Sequence, residues 1–526
     1  MVVPAVILVP GLAAAASKGV QVYGYTQNSK MKIEFKWEDD KKRTQTIEPG
    51  RMYGKSCSHE LHNWNSKFKI KATASVSRGL SAEPVAKVNG DLGVATMTGF
   101  NPGSSPHRVI GNIWPSDGSS HTQKSIITDN ATFAYGMYAA GTNDGSPIKG
   151  RHQSYAYLTG NLTHWMGDLR RSNPRRWDAN VVGTLTLAGA HDAGMWKLAS
   201  PIDTDAKFWA FLSLMALEGG PITSITEPLI ALGQKEVFNF MQNTSLTQKD
   251  SIQTALRSGV RYFDYRPARF TEPLSGISMP GYYHIHNFVP GYNFQSFLRD
   301  VVRFLRAGGN GHEIVIVNVK DDGILPGIFT PIYRKSSDLA SATKTVRKLL
   351  KAAGGNPDEA IYTNSYVDIR NRTFKSLYEN KTRLIFYFGT GNHDSYTKAA
   401  YSTFNPRNVI NAMTAQLPNC VNAPDQFTVF QMQDTASWEI FKVPPAPGEL
   451  LAALHSVNGS ILLGTKGMFD HRTYPWAMAN LKQCRSLTVM LNDFAGNLLA
   501  LNSKRLTAFR TSMAPEVKTI GLESCP

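Results

Sequence analysis

The stretch TLTLAGAHDAGMW, residues Thr184 to Trp196, carries most of the information about the second half of the chain. Apolar and small side chains alternate along it, which predicts a buried strand, and a glycine marks the approaching turn. His191 and Asp192 come directly after this strand. Two titratable groups at the open end of a buried strand indicate a functional site, whereas a His-Asp pair alone would be typical of an ordinary loop.

Length and composition indicate a globular protein with more than one domain. The chain has 526 residues, of which 42% are hydrophobic and 18% charged, so it can bury a large core. A net charge of +16 favours anionic partners, although a basic surface without a ligand is equally compatible with it. The sequence has no long basic block and no zinc-finger or RNA-recognition motif. We therefore expect a membrane phospholipid surface as partner rather than nucleic acid, and no protein partner is evident.

The N-terminus and the glycosylation sequons favour secretion. Residues 1–18 are a candidate signal peptide, because the apolar run from Val2 to Ala16 ends in small residues. No basic residues precede this run, so a first strand and turn is the alternative. Asn-x-Ser/Thr sequons, typical of a secreted glycoprotein, begin at Asn130, Asn161, Asn243, Asn371, Asn380 and Asn458. The cysteines, at Cys57, Cys420, Cys484 and Cys525, form no CxxC pair and allow one or two disulfides. We expect a secreted protein that associates with membrane surfaces.

Two regions differ in pattern. Residues 19–165 are rich in Gly, Ser, Thr, Lys and Tyr, with short alternating runs between turn-rich segments. This pattern predicts a β-rich, sandwich-like accessory module. No motif in it carries chemistry, and lipid or carbohydrate binding is an alternative to a purely structural role. Residues 175–526 instead alternate strand-like with helix-like runs.

The second region predicts an α/β fold, a (β/α)8 barrel of the TIM type enlarged by insertions. The predicted strands are TLTLAGA, VRYFDYR, YYHIHNF, EIVIVNVK, RLIFYF, FTVFQMQD, SILLGT and LTVMLNDF. Apolar residues repeat with a helical period over Phe294–Leu305 and Leu339–Leu350, which predicts two amphipathic helices. A doubly wound sheet is the alternative, but no Gly-x-Gly-x-x-Gly loop supports a nucleotide site.

Polar residues gather at the predicted carboxyl ends of these strands, where such barrels place their active sites. They are His191, Asp192, Asp264, Arg266, His284, His286, Lys320, Asp434 and Asp493. Asp264 and Arg266 alternate along one strand, and His284 and His286 along another, so each pair shares a face. Two histidines can exchange protons with an attacking hydroxyl and a leaving oxygen, while a guanidinium stabilises phosphoryl charge. The set indicates phosphoryl transfer, and no zinc triad is apparent.

At these residues the chain resembles the X-domain family of phosphatidylinositol-specific phospholipases C. The resemblance runs from about Val181 to Phe494 through LAGAHDAGMW, SIQTALRSGVRYFDYRPA, HIHNFVPGYNFQSFLRDVVRFL, EIVIVNVK and LTVMLNDF. It implies attack of the inositol 2-hydroxyl on phosphorus, which releases diacylglycerol and leaves a 1,2-cyclic phosphate.

The resemblance also implies roles for the matching proton-transfer residues. His191 would be the general base, oriented by Asp493. His286 would be the general acid, supported by Asp264. His284 is the other candidate for the acid and would otherwise contact the substrate.

The remaining residues would handle charge and the head group. Arg266 would neutralise the phosphate oxygens, with Asp192 beside it, and Lys320 and Asp434 are candidates for binding the head group. The motif around Arg266 and the basic Lys320 resemble the metal-independent, bacterial style of the family, in which a basic residue replaces calcium. We therefore expect no cofactor and no metal.

Other functions are compatible with the same residues. The barrel could bind phosphoinositides or glycans without catalysis, or cleave another lipid head group. A metal-dependent glycerophosphodiesterase-like or phospholipase D-like barrel is a third possibility. The apolar segment Phe208–Gly233 predicts either helices packed on the barrel or an interfacial lip that contacts lipid.

Overall fold

The structure is a computed structural model, and its description covers most of the second region and parts of the first. The described residues are 20–38, 43–54, 58–59, 67–78, 81–84, 96–98, 109–110, 123–138, 152–217, 245–271, 279–334, 339–389, 392–401, 405–422, 425–433 and 461–523. The predicted signal peptide at 1–18, Cys57, Cys525 and Asp434 lie outside the described residues.

Strands dominate the first region, and strands alternate with helices in the second. The strands are β1 (Val20–Thr26), β2 (Met31–Glu38), β3 (Arg43–Thr46), β4 (Arg51–Tyr53), β5 (Ser58–His59), β6 (Lys67–Arg78), β7 (Ser81–Pro84), β8 (Thr96–Thr98), β9 (Val109–Ile110), β10 (Gln123–Ile127), β11 (Ala131–Tyr138), β12 (His152–Gly160), β13 (Thr186–Ala190), β14 (Tyr262–Tyr265), β15 (Pro267–Phe270), β16 (Tyr283–His286), β17 (Val289–Asn293), β18 (Val315–Val319), β19 (Phe329–Pro331), β20 (Ala360–Thr363), β21 (Leu384–Phe388), β22 (Asn392–Asp394), β23 (Phe427–Gln431), β24 (Thr488–Asn492) and β25 (Gly521–Glu523). The α-helices are Trp165–Ser172, Pro174–Ala179, Asp205–Leu217, Ile252–Arg257, Phe294–Arg306, Leu339–Ala352, Val367–Arg370, Phe374–Glu379, Lys398–Tyr401, Pro406–Asn422, Ile461–Asn480 and Asn497–Arg510.

Eight strands form one parallel sheet in the order β20-β21-β18-β14-β13-β24-β23-β22. Strand β13 is buried at every position. Its sequence is mostly apolar because a strand in a parallel sheet is covered on both faces. The earliest and latest strands of this sheet along the chain, β13 and β24, are neighbours, so the sheet curls back on itself. The fold is therefore mixed α/β with a curled parallel sheet. Among the described residues its pairing ends at β20 and β22 without closing a barrel.

The two predicted helices are confirmed. The helix Phe294–Arg306 begins after Asn293, whose side chain accepts a hydrogen bond from the Ser296 backbone N–H at 3.1 Å. Its Phe297 ring packs edge-on against Phe263 of β14, with ring centroids 5.5 Å apart. The second helix spans Leu339–Ala352. Its Ala342, Val346 and Leu350 are buried, so each helix buries the apolar face that its period predicts.

Two predicted barrel strands are wrong. The segment YYHIHNF lies outside the parallel sheet, because β16 belongs to a separate antiparallel sheet of order β17-β16-β15-β19. Residues 461–465, the described part of the segment SILLGT, form the start of the helix Ile461–Asn480, whose first turns are buried on all sides. A short apolar run buried on every side has no period that separates a strand from a helix. Strands β20 and β22 complete the eight instead.

The N-terminal region is β-rich, as predicted, and packs against the parallel sheet's helices. It contains a seven-stranded sheet, β10-β11-β12-β1-β4-β25 with β5 paired to β1, and a six-stranded sheet, β3-β2-β6-β8-β9 with β7 paired to β6. The late strand β25 pairs with β4, so residues near the end of the chain return to this region. Tyr23 and Tyr155 share one hydrophobic cluster with Leu187 of β13. The domain boundaries at 19–165 and 175–526 stay a prediction.

The described part of the apolar segment is packed rather than exposed. Phe208 and Phe211, on the helix Asp205–Leu217, are fully buried in a second hydrophobic cluster that includes Ile285 and Phe329. The burial of these two rings supports the interpretation of packed helices, and neither ring can form a lipid-contacting lip. Residues 218–233 lie outside the described residues.

One of the disulfides that the sequence allows is present. Cys420 and Cys484, 64 residues apart, are joined and tie the end of the helix Pro406–Asn422 to the segment before β24. Within the described ranges no helix combines the length and the apolar character needed to cross a membrane.

Candidate active site

Side chains from the carboxyl ends of four parallel strands meet at one edge of the sheet. They are His191 and Asp192 after β13, Asp264 in β14 and Arg266 after it, Lys320 after β18, and Asp493 after β24. Parallel strands bring their carboxyl ends to a common edge, so residues 302 positions apart in sequence come into contact.

His191 is held by a carboxylate on one side and faces a guanidinium on the other. Its Nδ1 lies 2.8 Å from Asp493 Oδ1, and its Nε2 lies 3.3 Å from Arg266 Nη2. Burial by itself would lower the pKa of His191, but the carboxylates of Asp192 and Asp493 outweigh it and raise the pKa to about 9. Burial raises the pKa of Asp493 despite this partner. The pair has the geometry of a base and the group that orients it.

Asp192 is the centre of the cluster and is completely buried. Its Oδ1 lies 2.9 Å from Arg266 Nε and 3.2 Å from His284 Nε2. Its Oδ2 lies 3.4 Å from His191 Nε2 and 3.6 Å from His286 Nε2. Burial would raise the pKa of Asp192, but Arg266 and His191 hold it well below its usual value. One ionised carboxylate thus lies within 3.6 Å of an arginine and three imidazoles.

Arg266 links the two buried aspartates at the centre of the site. Its Nη2 lies 3.2 Å from Asp264 Oδ2, while its Nε contacts Asp192. Lys320 Nζ lies 3.4 Å from the same Asp264 oxygen. Burial would raise the pKa of Asp264, but Lys320 and Arg266 lower it, so the carboxylate stays charged between two cations. This cationic pair can stabilise the charge of a phosphoryl group.

The two remaining histidines approach from the antiparallel sheet, on β16. His284 is fully buried and has both ring nitrogens occupied: Nδ1 accepts from the Arg266 backbone N–H at 3.2 Å, and Nε2 contacts Asp192. That arrangement fixes the neutral tautomer with the proton on Nε2. His286 has a 21% exposed side chain, so it alone of the two can reach a substrate.

The structure corrects the expected partner of His286. Asp264, expected to support it, contacts Arg266 and Lys320 instead, and the carboxylate facing His286 is Asp192. Both histidines of β16 face the carboxylate of Asp192, which directly follows β13. Burial lowers the pKa of His286 to about 4, so its ring is neutral in the free protein.

Several buried polar atoms in the cluster have no hydrogen-bond partner among the described residues. They are Asp192 Oδ2, Asp264 Oδ1, His286 Nδ1 and Arg266 Nε, the last of which has only its ion pair with Asp192. An unsatisfied buried polar atom is costly and rare in a native core. The backbone is strained at the same place, because Asp192, Asn287 and Phe494 all have positive φ angles, of 43°, 59° and 47°. Both features are typical of a site prepared for a ligand.

Thr247 and Gln248 belong to a segment that holds the two principal loops together. Gln248 Nε2 donates to the backbone oxygens of His191 at 2.7 Å and of Asn492 at 3.1 Å, and its Oε1 accepts from the Ala495 N–H. Thr247 Oγ1 lies 3.2 Å from the His191 backbone oxygen. This clamp joins the ends of β13 and β24, yet no motif marks it.

Close packing also explains a glycine in the first motif. A Cβ at Gly194 would lie 2.2 Å from Cβ of His284, so only glycine lets the two segments approach this closely.

Asp394, at the end of β22, is an acid that the sequence analysis does not include among the site residues. Burial raises the pKa of Asp394, although the positive charge of Lys320 lowers it. Asp434, expected near the head group, lies outside the described residues.

Ligand atoms of His191, Asp192 and Asp264 lie within 4.8 Å of one another and so resemble a metal site. Arg266 Nη2, however, lies 3.3 Å from the histidine and 3.2 Å from Asp264. The guanidinium therefore stands among these ligand atoms, and Lys320 adds a second positive charge beside it. A divalent cation at this place would be repelled by the positive charges of Arg266 and Lys320, and it would have to displace both groups.

Comparison with known proteins finds similarity at the level of solved structures. No family model and no curated protein matches the chain. The phosphatidylinositol-specific phospholipase C of Listeria monocytogenes is 15% identical, with 66% of this chain and 98% of that chain covered and a TM-score of 0.36. Two structures of the Staphylococcus aureus phosphatidylinositol-specific phospholipase C are 14% and 12% identical, each covering 65% of this chain and 97% of that chain, with TM-scores of 0.36 and 0.37. Similarity this low does not establish a function.

Proposed function

We propose that this protein is a phosphodiesterase of the phospholipase C type that cleaves an inositol phospholipid without a metal ion. The observation that supports the proposal most strongly is the His191–Asp493 pair, which faces Arg266 across 3.3 Å. A base with its orienting carboxylate, opposite a fixed guanidinium, is what attack of a hydroxyl on a phosphodiester requires.

The reaction begins with proton transfer to His191. Asp493 holds the proton on Nδ1, which leaves Nε2 free to take the proton of the inositol 2-hydroxyl. The hydroxyl oxygen forms a bond to phosphorus, and the bond from phosphorus to the glycerol oxygen breaks. Arg266 stabilises the charge on the non-bridging oxygens. The products are a cyclic inositol phosphate and diacylglycerol.

His286 supplies the proton that the leaving oxygen needs. Its pKa of about 4 in the free protein would leave it unprotonated, which suits an acid only after substrate binds. A phosphodiester anion beside Nε2 adds a negative charge and raises that pKa. Asp192, 3.6 Å away, further stabilises the imidazolium. His284 then orients Asp192 and does not exchange protons with the substrate.

The head group would be bound by the rim beside this cluster. Lys320 and the strand-end carboxylate of Asp394 are the proposed hydroxyl-binding groups, because buried Lys320 and half-buried Asp394 lie at the same sheet edge and attract each other. Asp434 stays a further candidate from the sequence. A membrane phospholipid surface as the place of action, and secretion as a glycoprotein, are part of the same proposal and are supported by the sequons and the basic net charge.

A panel of lipids tests the proposal. Vesicles of phosphatidylinositol, of phosphatidylcholine, and of a phosphatidylinositol analogue lacking the 2-hydroxyl are incubated with the protein and a chelator. We expect diacylglycerol release from phosphatidylinositol alone, since the other two lack the internal nucleophile. Release from the deoxy analogue at the same rate would refute internal attack, and cleavage of phosphatidylcholine would assign another head group.

A further inference from the structure

The N-terminal region contacts the active-site loops through a buried polar network. Tyr157 of β12 is buried, and its Oη donates to Asp470 Oδ2 at 3.0 Å. Burial and the nearby Asp470 raise the pKa of Tyr157 well above its usual value, so the phenol keeps the proton that it donates. Asp470 lies on the helix Ile461–Asn480, which packs between β12 and the parallel sheet.

Asp470 also contacts the end of β24 through its other carboxylate oxygen. Its Oδ1 accepts from Asn492 Nδ2 at 3.0 Å and from Lys466 Nζ at 2.9 Å. The backbone oxygen of Asn492 accepts the His191 N–H at 3.1 Å. Asn492 also directly precedes Asp493, the partner of the histidine. Two bonds therefore separate the phenol of Tyr157 from the backbone that carries the catalytic pair.

The residues that follow Asp493 also contact the N-terminal region. Asn497, which begins the helix after Asp493, donates from Nδ2 to the backbone oxygens of Thr132 at 2.8 Å and of Tyr157 at 3.1 Å. The turn carrying Asp493 is thus held at both ends by β11 and β12.

A third contact reaches the clamp segment. Ser125 of β10 donates to Asp250 Oδ2 at 2.7 Å, two residues beyond Gln248, whose amide binds the His191 and Asn492 backbone oxygens. Strands β10, β11 and β12 of one sheet therefore each contact a segment that holds the loops carrying His191 and Asp493.

We propose that the N-terminal β-rich region is a positioning element for the His191–Asp493 pair, acting through Tyr157 and Asp470. Burying the charges of Lys466 and Asp470 costs desolvation, and apolar residues of similar volume would hold two regions together at least as well. A polar network at this place is therefore better explained by the geometry it fixes. Displacements of about 1 Å at a catalytic group can cost a hundredfold in rate. This inference rests on the proposed function only for its activity readout.

The test compares two tyrosines that are direct partners on adjacent strands. Tyr25 of β1 pairs with Tyr157 of β12, is equally buried, and accepts a hydrogen bond from Arg505 at 3.0 Å instead of contacting Asp470. Tyr157→Phe and Tyr25→Phe each remove one phenolic oxygen from the same sheet. The measurements are kcat and KM on phosphatidylinositol vesicles, and the titration of the His191 ring by NMR, assigned with His191→Gln.

We expect Tyr157→Phe to lower kcat about tenfold, with KM within about twofold, because misplacing a catalytic group slows the chemical step. The His191 titration midpoint should fall by about half a unit as its pairing with Asp493 loosens. Tyr25→Phe should change neither. Equal behaviour of the two variants in both measurements would overturn the proposal.

The titration separates this proposal from the proposed function. If the wild type turns over no phosphatidylinositol, the function fails, but a shifted His191 midpoint in Tyr157→Phe alone still supports positioning, and an unshifted one refutes it. Should Tyr157→Phe not fold, Ser125→Ala tests the clamp contact with the same two readouts and the same expected direction.

Discussion

Asp493→Asn should change the pH dependence of catalysis in a way fixed by the structure. With its pKa near 9, His191 is unprotonated in only about one molecule in a hundred at pH 7. His286, with a pKa of about 4, must be protonated, and its protonated fraction falls about tenfold per pH unit as the unprotonated fraction of His191 rises. The wild-type kcat/KM should therefore be level between about pH 4 and pH 9 and fall above about pH 9. Removing one of the two carboxylates that raise the pKa should move this alkaline limb down by about one unit. The plateau should fall about a thousandfold, because the amide no longer fixes the Nδ1–H tautomer.

The assay is initial-rate diacylglycerol release between about pH 5 and pH 10. Asp178→Asn is the matched control, because Asp178 pairs with Arg170 at 2.7 and 2.8 Å on helices outside the site. That variant should keep the wild-type profile. A plateau and limb unchanged in Asp493→Asn would refute the assignment of His191 as the base.

The same substitution has a consequence for stability. The pKa of His191 is higher in the folded protein, about 9, than its ordinary value of 6.5. Its pairing therefore stabilises the fold fully below about pH 6.5, and that contribution is lost as the pH rises through about 9. The shift corresponds to about 3 kcal/mol. Urea unfolding on either side of this window should show the loss in the wild type and a smaller loss in Asp493→Asn.

Three further predictions concern the arginine, the metal and the close glycine. Arg266→Lys keeps the charge but cannot span Asp192 and Asp264, so kcat should fall about a hundredfold in the lipid assay. A chelator should change wild-type turnover by less than about twofold, since the guanidinium stands among the possible metal ligands; a tenfold loss would favour a metal-dependent enzyme. Gly194→Ala should destabilise the fold by about 3 kcal/mol in urea unfolding, because the new Cβ would collide with His284; an unchanged midpoint would contradict the packing.

Strand periodicity predicts most of the cluster, because the ends of parallel strands share an edge. His191, Asp264 and Asp493 follow or occupy strands whose apolar runs are long and unambiguous, and the structure brings them together. Alternation also places Asp264 and Arg266 on one face, where they contact each other at 3.2 Å. The local pattern is sufficient at these positions because each neighbouring strand is recognised from its own apolar run.

The missed features depend on contacts that no local pattern encodes. The resemblance implies Asp264 as the partner of His286, whereas the structure places Asp192 beside His286. Strand β16 lies in a second sheet, and alternation within a strand does not indicate which sheet that strand joins. Gln248 and Tyr157 act through hydrogen bonds to residues more than two hundred positions away. Their residue types are ordinary in buried positions, so only the assembled structure identifies them.

The most direct test of the central claim is the identity of the water-soluble product formed from phosphatidylinositol. Wild type and His191→Gln, each with a chelator, are compared by phosphorus NMR, with folding checked by circular dichroism. The account predicts a cyclic inositol phosphate from the wild type and at least a hundredfold less from the variant, about the contribution of a general base. A folded wild type that forms no cyclic product, or a His191→Gln variant that forms it at the wild-type rate, would contradict the account.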